Sequence, residues 1–281
     1  MSGAISMHKL DSSSEVTDMA NRVLWINPVG FNDFDQPIKD VLEQAKRPNT
    51  TVDVVSLKKG PLHLEYHYYE ALVLTDILHQ IKQAEYDGYD AAVIGCFYDP
   101  GLREAREITE KLVVTAPAEA CLHIAASLGH RFSIIVAEKK CVPKMHENAV
   151  NYGFEDRLAS FKSIDMRVHD FQKNQTETAN RMKAAAKEAI ENDLAEVIIL
   201  GCTIQFGFFK ELQREIGVPV IDAVLGSFKY AEFLIELKNR FNWSQSKVYG
   251  YESPPVEEII DWKLESQYGI LGLWGQKRCG V

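Results

Sequence analysis

Short apolar runs alternate with amphipathic stretches along most of the chain. The runs are rich in β-branched residues and occupy residues 22–27, 51–57, 91–96, 131–137, 161–168, 196–202 and 218–222. Such runs are typical of strands that are covered on both faces of a parallel sheet. The stretches between them carry apolar residues at helical spacing and predict helices over residues 34–46, 70–85, 101–112, 117–128, 143–152, 176–192, 206–216 and 223–241.

One strand pattern occurs twice, ending in Gly95-Cys96 and in Gly201-Cys202. Strands that alternate with helices predict right-handed βαβ connections. The predicted fold class is therefore α/β, with two pseudo-symmetric lobes, mostly parallel sheets and the active site in the cleft between them. We assign residues 22–115 plus 219–241 to lobe one and residues 116–218 to lobe two.

The two ends of the chain differ in character from the lobes. Residues 1–21 are polar and rich in serine and aspartate, which predicts a flexible N-terminal arm. Residues 242–281 contain three tryptophans and are too aromatic for a free linker. We expect this C-terminal extension to pack on the body or on a neighbouring subunit.

Charge and cysteine content limit the classes of function. The formal net charge of -9 argues against a nucleic acid partner, because binding to a phosphate backbone needs a basic surface. No apolar run reaches about 18 residues, so no membrane span is predicted. Five widely spread cysteines, without an export signal ahead of them, indicate reduced thiols in the cytoplasm. The sequence has no Cys-x-x-Cys pair and its eight histidines form no evident cluster, so no metal site is predicted.

The repeated Gly-Cys ends carry the candidate chemistry. The carboxyl edge of a parallel sheet is where open α/β folds bind ligands, so Cys96 and Cys202 are expected to face each other across one cleft. The glycine before each cysteine is expected to let the backbone approach a ligand. A helix that follows each cysteine is expected to favour the thiolate and to lower the pKa of the thiol. Two such thiols can act as base and acid on opposite faces of one carbon.

The residues around Cys96 resemble a known signature. Residues 96–102 read Cys-Phe-Tyr-Asp-Pro-Gly-Leu, which is similar to the Cys-Phe-x-Asp-Pro-Gly-Leu motif of the hydantoin racemase family. That family belongs to the aspartate/glutamate racemase superfamily and includes allantoin racemases. With weaker matches elsewhere, the resemblance covers about residues 22–238. It implies cofactor-independent racemisation in an often oligomeric protein, with Cys96 and Cys202 as the acid/base thiols.

Five further residues are candidates for binding the substrate. Asn27 at a strand end could bind a substrate carbonyl or carboxylate, and Phe97 could form an apolar wall. Thr203, with the amides after each cysteine, could stabilise enolate charge, and Gln205 could add a polar contact. Ala137 stands where hydroxyl residues commonly line the pocket in the family. The aromatic stretch at residues 63–69 is interpreted as surface packing, in preference to a cover over the pocket or a subunit contact.

The preferred function is racemisation or epimerisation of a small molecule at a carbonyl-activated carbon, in a hydantoin-like ring or a related amide or amino acid derivative. No cofactor and no metal are predicted, and a homo-oligomer is expected. Two alternatives stay open. The same fold could serve a decarboxylase, lyase or cis–trans isomerase that uses one cysteine as nucleophile or proton donor. The chain could also be a non-catalytic protein that binds a small ligand.

Overall fold

A computed structural model describes residues 20–270 and 272–274. Most of the predicted N-terminal arm, residues 1–19, lies outside the described residues, as do residues 271 and 275–281 of the extension. The described chain contains eight strands, β1 Asn21–Asn27, β2 Thr50–Ser56, β3 Ala91–Ile94, β4 Val113–Thr115, β5 Phe132–Val136, β6 Leu158–Ser163, β7 Val197–Leu200 and β8 Val220–Ile221. They form two four-stranded parallel sheets, ordered β2-β1-β3-β4 and β6-β5-β7-β8.

Ten α-helices occupy the described residues between and after these strands. They are α1 Asp35–Ala45, α2 His67–Tyr86, α3 Leu102–Ile108, α4 Pro117–Leu128, α5 Val142–Asn151, α6 Gln175–Asp193, α7 Phe209–Ile216, α8 Ala223–Phe241, α9 Val256–Asp261 and α10 Leu264–Tyr268. The predicted α/β class with two similar lobes and parallel sheets is confirmed. No helix of this part of the chain is long and apolar enough to cross a membrane.

Two predicted elements differ most in extent from those observed, and the short strand β4 was not among the predicted strands. The helix predicted over residues 101–112 ends at Ile108, where the chain turns so that the Glu85 carboxylate accepts the N–H groups of Glu110 and Lys111 at 2.6 and 2.7 Å. The strand predicted over residues 161–168 begins and ends earlier, at 158 and 163, because its pairing with β5 ends where β5 itself ends.

The helix that follows the last strand of each sheet packs against the opposite sheet. Helix α4 follows β4 of the first sheet, yet its buried face packs among the core residues of the second sheet. Helix α8 follows β8 of the second sheet, and its Val224, Phe228 and Ile235 are fully buried against Trp25 and other residues of the first sheet. Burial of each such side chain contributes about 1.5–3 kcal/mol, so this exchange of helices joins the two lobes.

The strand β8 lies within the range 219–241 that we assigned to lobe one. It pairs with β7, and therefore belongs to the second sheet. Only the helix α8 that follows it packs on the first sheet. The crossing between the lobes thus occurs after Ile221, because the backbone groups of β8 find their partners on β7.

The described part of the extension lies against α3 and β4. The Lys247 ammonium donates to the backbone carbonyls of Arg106 and Glu107, each at 2.8 Å. With its amide turned to match its neighbours, the Gln245 side chain can donate to the carbonyl of Leu112 and accept the N–H of Val114. Leu112 directly precedes the outer strand β4, and Val114 lies on it. The Lys247 contacts satisfy carbonyl groups near the C-terminus of α3, and Gln245 lies at an edge of the first sheet.

Candidate active site

Cys96 and Cys202 occupy equivalent positions at the carboxyl ends of β3 and β7. In each sheet the glycine before the cysteine donates its N–H to the neighbouring strand at 2.8 Å, Gly95 to Ile26 and Gly201 to Ile135. Beyond this last ladder bond the chain turns away from the sheet. The repeated sequence therefore places both thiols at the same level of two similar sheets, as parallel strands with the same register require.

The two glycines are needed for packing on the sheet. A Cβ atom on Gly95 would lie 2.6 Å from the indole nitrogen of Trp25, and one on Gly201 would lie 2.7 Å from a methyl group of Ile134. The sequence interpretation gave them a different task, the close approach of a ligand. Both glycines line the cavity described next, but it is the side chain of a neighbouring strand that leaves no room for a Cβ atom.

Both thiols line one cavity of about 90 Å³ between the sheets, which has room for several water molecules or one small ring. Thr203 spans it, since its hydroxyl donates to the carbonyl of Gly95 at 3.1 Å. The lining is mostly apolar and consists of Asn27, Pro28, Val29, Phe31, Phe34, Leu62, His63, Leu64, Glu65, Gly95, Cys96, Phe97, Tyr98, Ala137, Cys141, Met145, Val168, His169, Gly201, Cys202, Thr203 and Ile204.

Burial favours the protonated form of both cysteines. It raises the pKa of Cys96 well above the usual value, although the N–H of Tyr98 donates to this sulfur and opposes the shift. It raises the pKa of Cys202 to about 12, opposed by the N–H groups of Ile204 and Gln205. A negative charge on Cys202 would also raise the pKa of Cys96, because the two groups are close enough to interact electrostatically.

The expectation of a lowered thiol pKa was therefore wrong. It relied on a helix N-terminus directly after each cysteine, but α3 begins only at Leu102 and α7 only at Phe209. The influence of a helix dipole falls off within its first turn. Desolvation in a cavity with apolar walls is the larger effect and acts in the opposite direction.

Four of the five predicted binding residues line the cavity. Phe97, Ala137 and Thr203 do so directly. Asn27 also lines it, but its amide oxygen accepts from the Trp25 indole at 2.7 Å and its amide nitrogen donates to Asp35 at 2.6 Å. The Asn27 side chain is thus engaged in holding the loop after β1.

Gln205 does not line the cavity. Its side chain is fully buried behind the turn, and neither its amide oxygen nor its amide nitrogen has a partner among the described residues. It lies on the short 3₁₀ turn Thr203–Gln205, and only its backbone N–H faces Cys202. The other two residues of this turn, Thr203 and Ile204, do line the cavity.

The sequence analysis missed a polar group on the cavity wall. His63 and Glu65, from the connection between β2 and α2, and His169, from the connection between β6 and α6, all line the cavity. The interpretation of residues 63–69 as surface packing is wrong for this segment, although Tyr68 is exposed as expected. The available signal was position, since residues 63 and 65 follow a strand of the sheet that carries Cys96.

Glu65 joins the two lobes across the mouth of the cavity. One of its carboxylate oxygens accepts the backbone N–H of Val168 at 3.1 Å, and the other lies 3.2 Å from Nδ1 of His63. The His63 and His169 rings stand 5.4 Å apart. Burial, together with the proximity of His63, lowers the pKa of His169.

A third thiol and a second carboxylate stand close to the pair. Cys141 lines the cavity, and its charge would raise the pKa of Cys202. Behind Cys96, the buried Asp99 accepts the N–H groups of Ala118 and Glu119 at the start of α4, at 2.8 and 2.9 Å. Burial raises the pKa of Asp99 to about 7. Within the described residues, no group of three or more histidine, cysteine, aspartate or glutamate side chains could hold a metal ion.

Residues 23–230 match the profile of the Asp/Glu/hydantoin racemase family. The chain belongs to this family. A hydantoin racemase from Pseudomonas sp. (strain NS671) is 34% identical over 239 residues, which cover 85% of this chain and 94% of the relative. The match with that relative leaves 15% of this chain uncovered, and the family profile ends at residue 230, before the extension.

Solved structures of the same fold carry different activities. An allantoin racemase from Klebsiella pneumoniae superimposes with a TM-score of 0.78 at 29% identity, covering 84% of this chain and 94% of its own. An arylmalonate decarboxylase superimposes with a TM-score of 0.53 at 15% identity, over 82% of this chain and 96% of its own, which is a likeness of fold alone. The decision between reactions therefore depends on the residues of the cavity.

Proposed function

We propose that this chain racemises hydantoins that carry one apolar substituent at ring carbon C5, with Cys96 and Cys202 as the paired acid and base. The observation that carries the proposal is that the two thiols line one small cavity from equivalent strand ends. Membership of the racemase family supports the same reaction class.

The proposed reaction takes one proton from C5 and returns another. The thiolate of one cysteine removes the C5 proton, and the electron pair of the C–H bond passes to the adjacent carbonyl as an enolate. The thiol of the other cysteine then gives its proton to the opposite face of the carbon and is left as the thiolate. The reverse reaction exchanges the two roles. Protons and charge balance, so the proposal needs no cofactor and no metal.

The raised thiol pKa values favour an acidic carbon. A thiol that is protonated at neutral pH supplies little thiolate, so the substrate C–H must itself ionise readily. A carbon beside the carbonyl of a hydantoin ring meets this need better than the α-carbon of a free amino acid. The N–H groups that face the two sulfurs stabilise whichever one is charged.

The apolar wall supports an apolar substituent at C5. Phe31, Phe34, Leu62 and Met145 all line the cavity, and the rings of Phe31 and Phe34 pack edge to face at 5.7 Å. A polar ureido substituent, as in allantoin, would leave donors without partners where it faces these four side chains. An aromatic or branched aliphatic substituent would bury its surface there.

The test is racemisation of optically pure 5-benzylhydantoin in deuterated water. We expect loss of optical rotation together with deuterium at C5 in the wild type, and a rate at least about 100-fold lower in Cys96→Ser and in Cys202→Ser. Cys121→Ser is the matched control, because Cys121 is buried in α4 and does not line the cavity.

Two outcomes would replace the proposal. Full turnover in Cys202→Ser would indicate one-thiol chemistry, as in the decarboxylase, lyase or cis–trans isomerase alternatives. Binding without exchange in the wild type would indicate a non-catalytic protein for a small ligand. The homo-oligomer and the cytoplasmic location stay predictions, and sedimentation of the purified chain tests the first.

A further inference from the structure

Glu65 gives the cavity a carboxylate that no lysine or arginine on its wall offsets. Among the described residues that line the cavity it is the one carboxylate, and none of them is lysine or arginine. Its side chain is only 6% exposed. A buried carboxylate is costly unless hydrogen-bond donors surround it, so its few partners decide what else the cavity can accept.

The partners of Glu65 leave part of its hydrogen-bonding capacity free. The N–H of Val168 occupies one oxygen at 3.1 Å, and Nδ1 of His63 lies 3.2 Å from the other. A carboxylate offers about four lone-pair positions, so roughly half remain. The contact with Val168 ties the carboxylate to the second lobe, which fixes its position on the cavity wall relative to Cys202.

We propose that Glu65 accepts a hydrogen bond from a ring N–H of the substrate, and thereby selects neutral N–H donors and rejects carboxylates. The assignment rests on the proposed function, because it orients a hydantoin ring between the two thiols. A hydantoin presents two N–H donors and no charge. A free amino acid or a malonate would bring its own carboxylate next to Glu65, with no lysine or arginine on the wall to offset the repulsion.

The same charge separates this site from one built for anionic substrates. Proton transfer already places a thiolate in the cavity, and a charge on Glu65 acts on Cys202. A substrate carboxylate would add a third negative charge to a space of about 90 Å³. A ring N–H instead supplies the donor that the Glu65 carboxylate lacks, so the substrate is held by its imide or amide edge.

The first experiment uses the wild-type chain with three substrates, 5-benzylhydantoin and its N1-methyl and N3-methyl derivatives. Methylation removes one donor at a time. We expect kcat/KM for racemisation to fall by about 10- to 100-fold for one of the two derivatives, the value of a hydrogen bond to a charged group. Equal kcat/KM for all three would overturn the assignment.

The second experiment removes the acceptor. In Glu65→Ala we expect the parent hydantoin to lose about 10- to 100-fold in kcat/KM and the sensitive methyl derivative to lose little, so that discrimination between them disappears. Asp76→Asn is the matched control, since Asp76 lies on α2, pairs with Lys59 and does not line the cavity. Circular dichroism checks that each variant is folded.

A third measurement tests the rejection of carboxylates. The acyclic N-carbamoyl-phenylalanine keeps the N–H donors and adds a carboxylate, so it should inhibit the wild type weakly and Glu65→Gln more strongly. If the wild type exchanges no C5 proton of any hydantoin, the proposed function fails and the assignment fails with it. If the wild type exchanges the C5 proton, and Glu65→Ala still discriminates between the parent and methylated hydantoins as the wild type does, only the assignment of Glu65 is overturned.

Discussion

In each lobe a buried aspartate links the loop after the cysteine to a helix. The aspartate belongs to the loop in one lobe and to the N-terminus of the helix in the other. Asp99 belongs to the loop after Cys96 and reaches across to the N-terminus of α4, where it accepts two backbone N–H groups. Asp222 instead caps its own helix α8, and its second oxygen accepts the N–H of Gly207 from the loop after Cys202 at 3.2 Å. In both lobes one buried carboxylate ties the cysteine loop to the helix that crosses to the other sheet.

The two thiols are less alike than the strands that carry them. One backbone N–H faces Cys96, from Tyr98, whereas two face Cys202, from Ile204 and Gln205. The difference comes from the turns: the loop after Cys96 passes through Asp99 in a left-handed conformation, and the loop after Cys202 forms a 3₁₀ turn. Equivalent strand ends therefore give thiols with different support for the thiolate.

Removal of one thiol at a time should have the largest effect and tests whether the two cysteines act on opposite faces of the substrate. A base that remains can still remove and return a proton on its own face, so each variant should exchange deuterium into one enantiomer without inverting it. We expect Cys96→Ser and Cys202→Ser to exchange opposite enantiomers of 5-benzylhydantoin, with racemisation lowered by about 10²–10⁴-fold in both. Chiral chromatography with mass detection measures this. Exchange of the same enantiomer by both variants would contradict the two-face arrangement.

Asp99→Asn should weaken the link between the loop after Cys96 and α4. The amide keeps one acceptor for two N–H groups, so we expect a loss of about 1–3 kcal/mol in the free energy of unfolding. Urea unfolding at several pH values measures it.

The same variant tests the sign of a pH dependence. Burial raises the pKa of Asp99 to about 7, so the protonated group is favoured in the folded state. The protonated Asp99 contributes fully to the free energy of unfolding below the usual aspartate pKa of about 3.9. This contribution is lost as the pH rises through the folded-state pKa of about 7. The difference between wild type and Asp99→Asn should therefore shrink between pH 4 and 8. A constant difference would contradict the raised pKa.

Alkylation rates should sharpen the contrast between the thiols. Because burial raises both pKa values, iodoacetamide should react slowly with Cys96 and Cys202 at pH 7 and faster as the pH rises past 9. Cys202, with two N–H groups facing its sulfur, should respond at the lower pH of the two. Peptide mass mapping at each pH reports both rates. Rapid alkylation of either thiol at pH 7 would contradict the shifts.

The smallest effect is expected at Thr203. Its hydroxyl donates to the Gly95 carbonyl and is a direct hydrogen bond between the two cysteine segments. Thr203→Val should cost about 0.5–1.5 kcal/mol of unfolding free energy, and Thr203→Ser, which keeps the hydroxyl, should cost less. Thermal unfolding of the two variants side by side measures the difference, and equal losses would show that the hydroxyl contributes nothing.

The sequence by itself determined most of the elements and the ends of the two strands that carry the cysteines. Apolar periodicity is local, so it located α4 and α8 to the residue and placed Gly95-Cys96 and Gly201-Cys202 at strand ends. The resemblance around Cys96 identified the racemase family that the profile confirms.

Only the tertiary structure decided what surrounds the two thiols. Their pKa values depend on desolvation, which is a property of the assembled cavity and opposes the helix effect that the order of elements suggested. Glu65 reached the cavity wall through a contact with Val168, 103 positions away, and no local pattern records such a contact. The Gln205 side chain is buried behind the wall, although Thr203 and Ile204 on the same 3₁₀ turn line the cavity. Sequence spacing sets which residues share a strand end, whereas burial and charge arise only when distant segments meet.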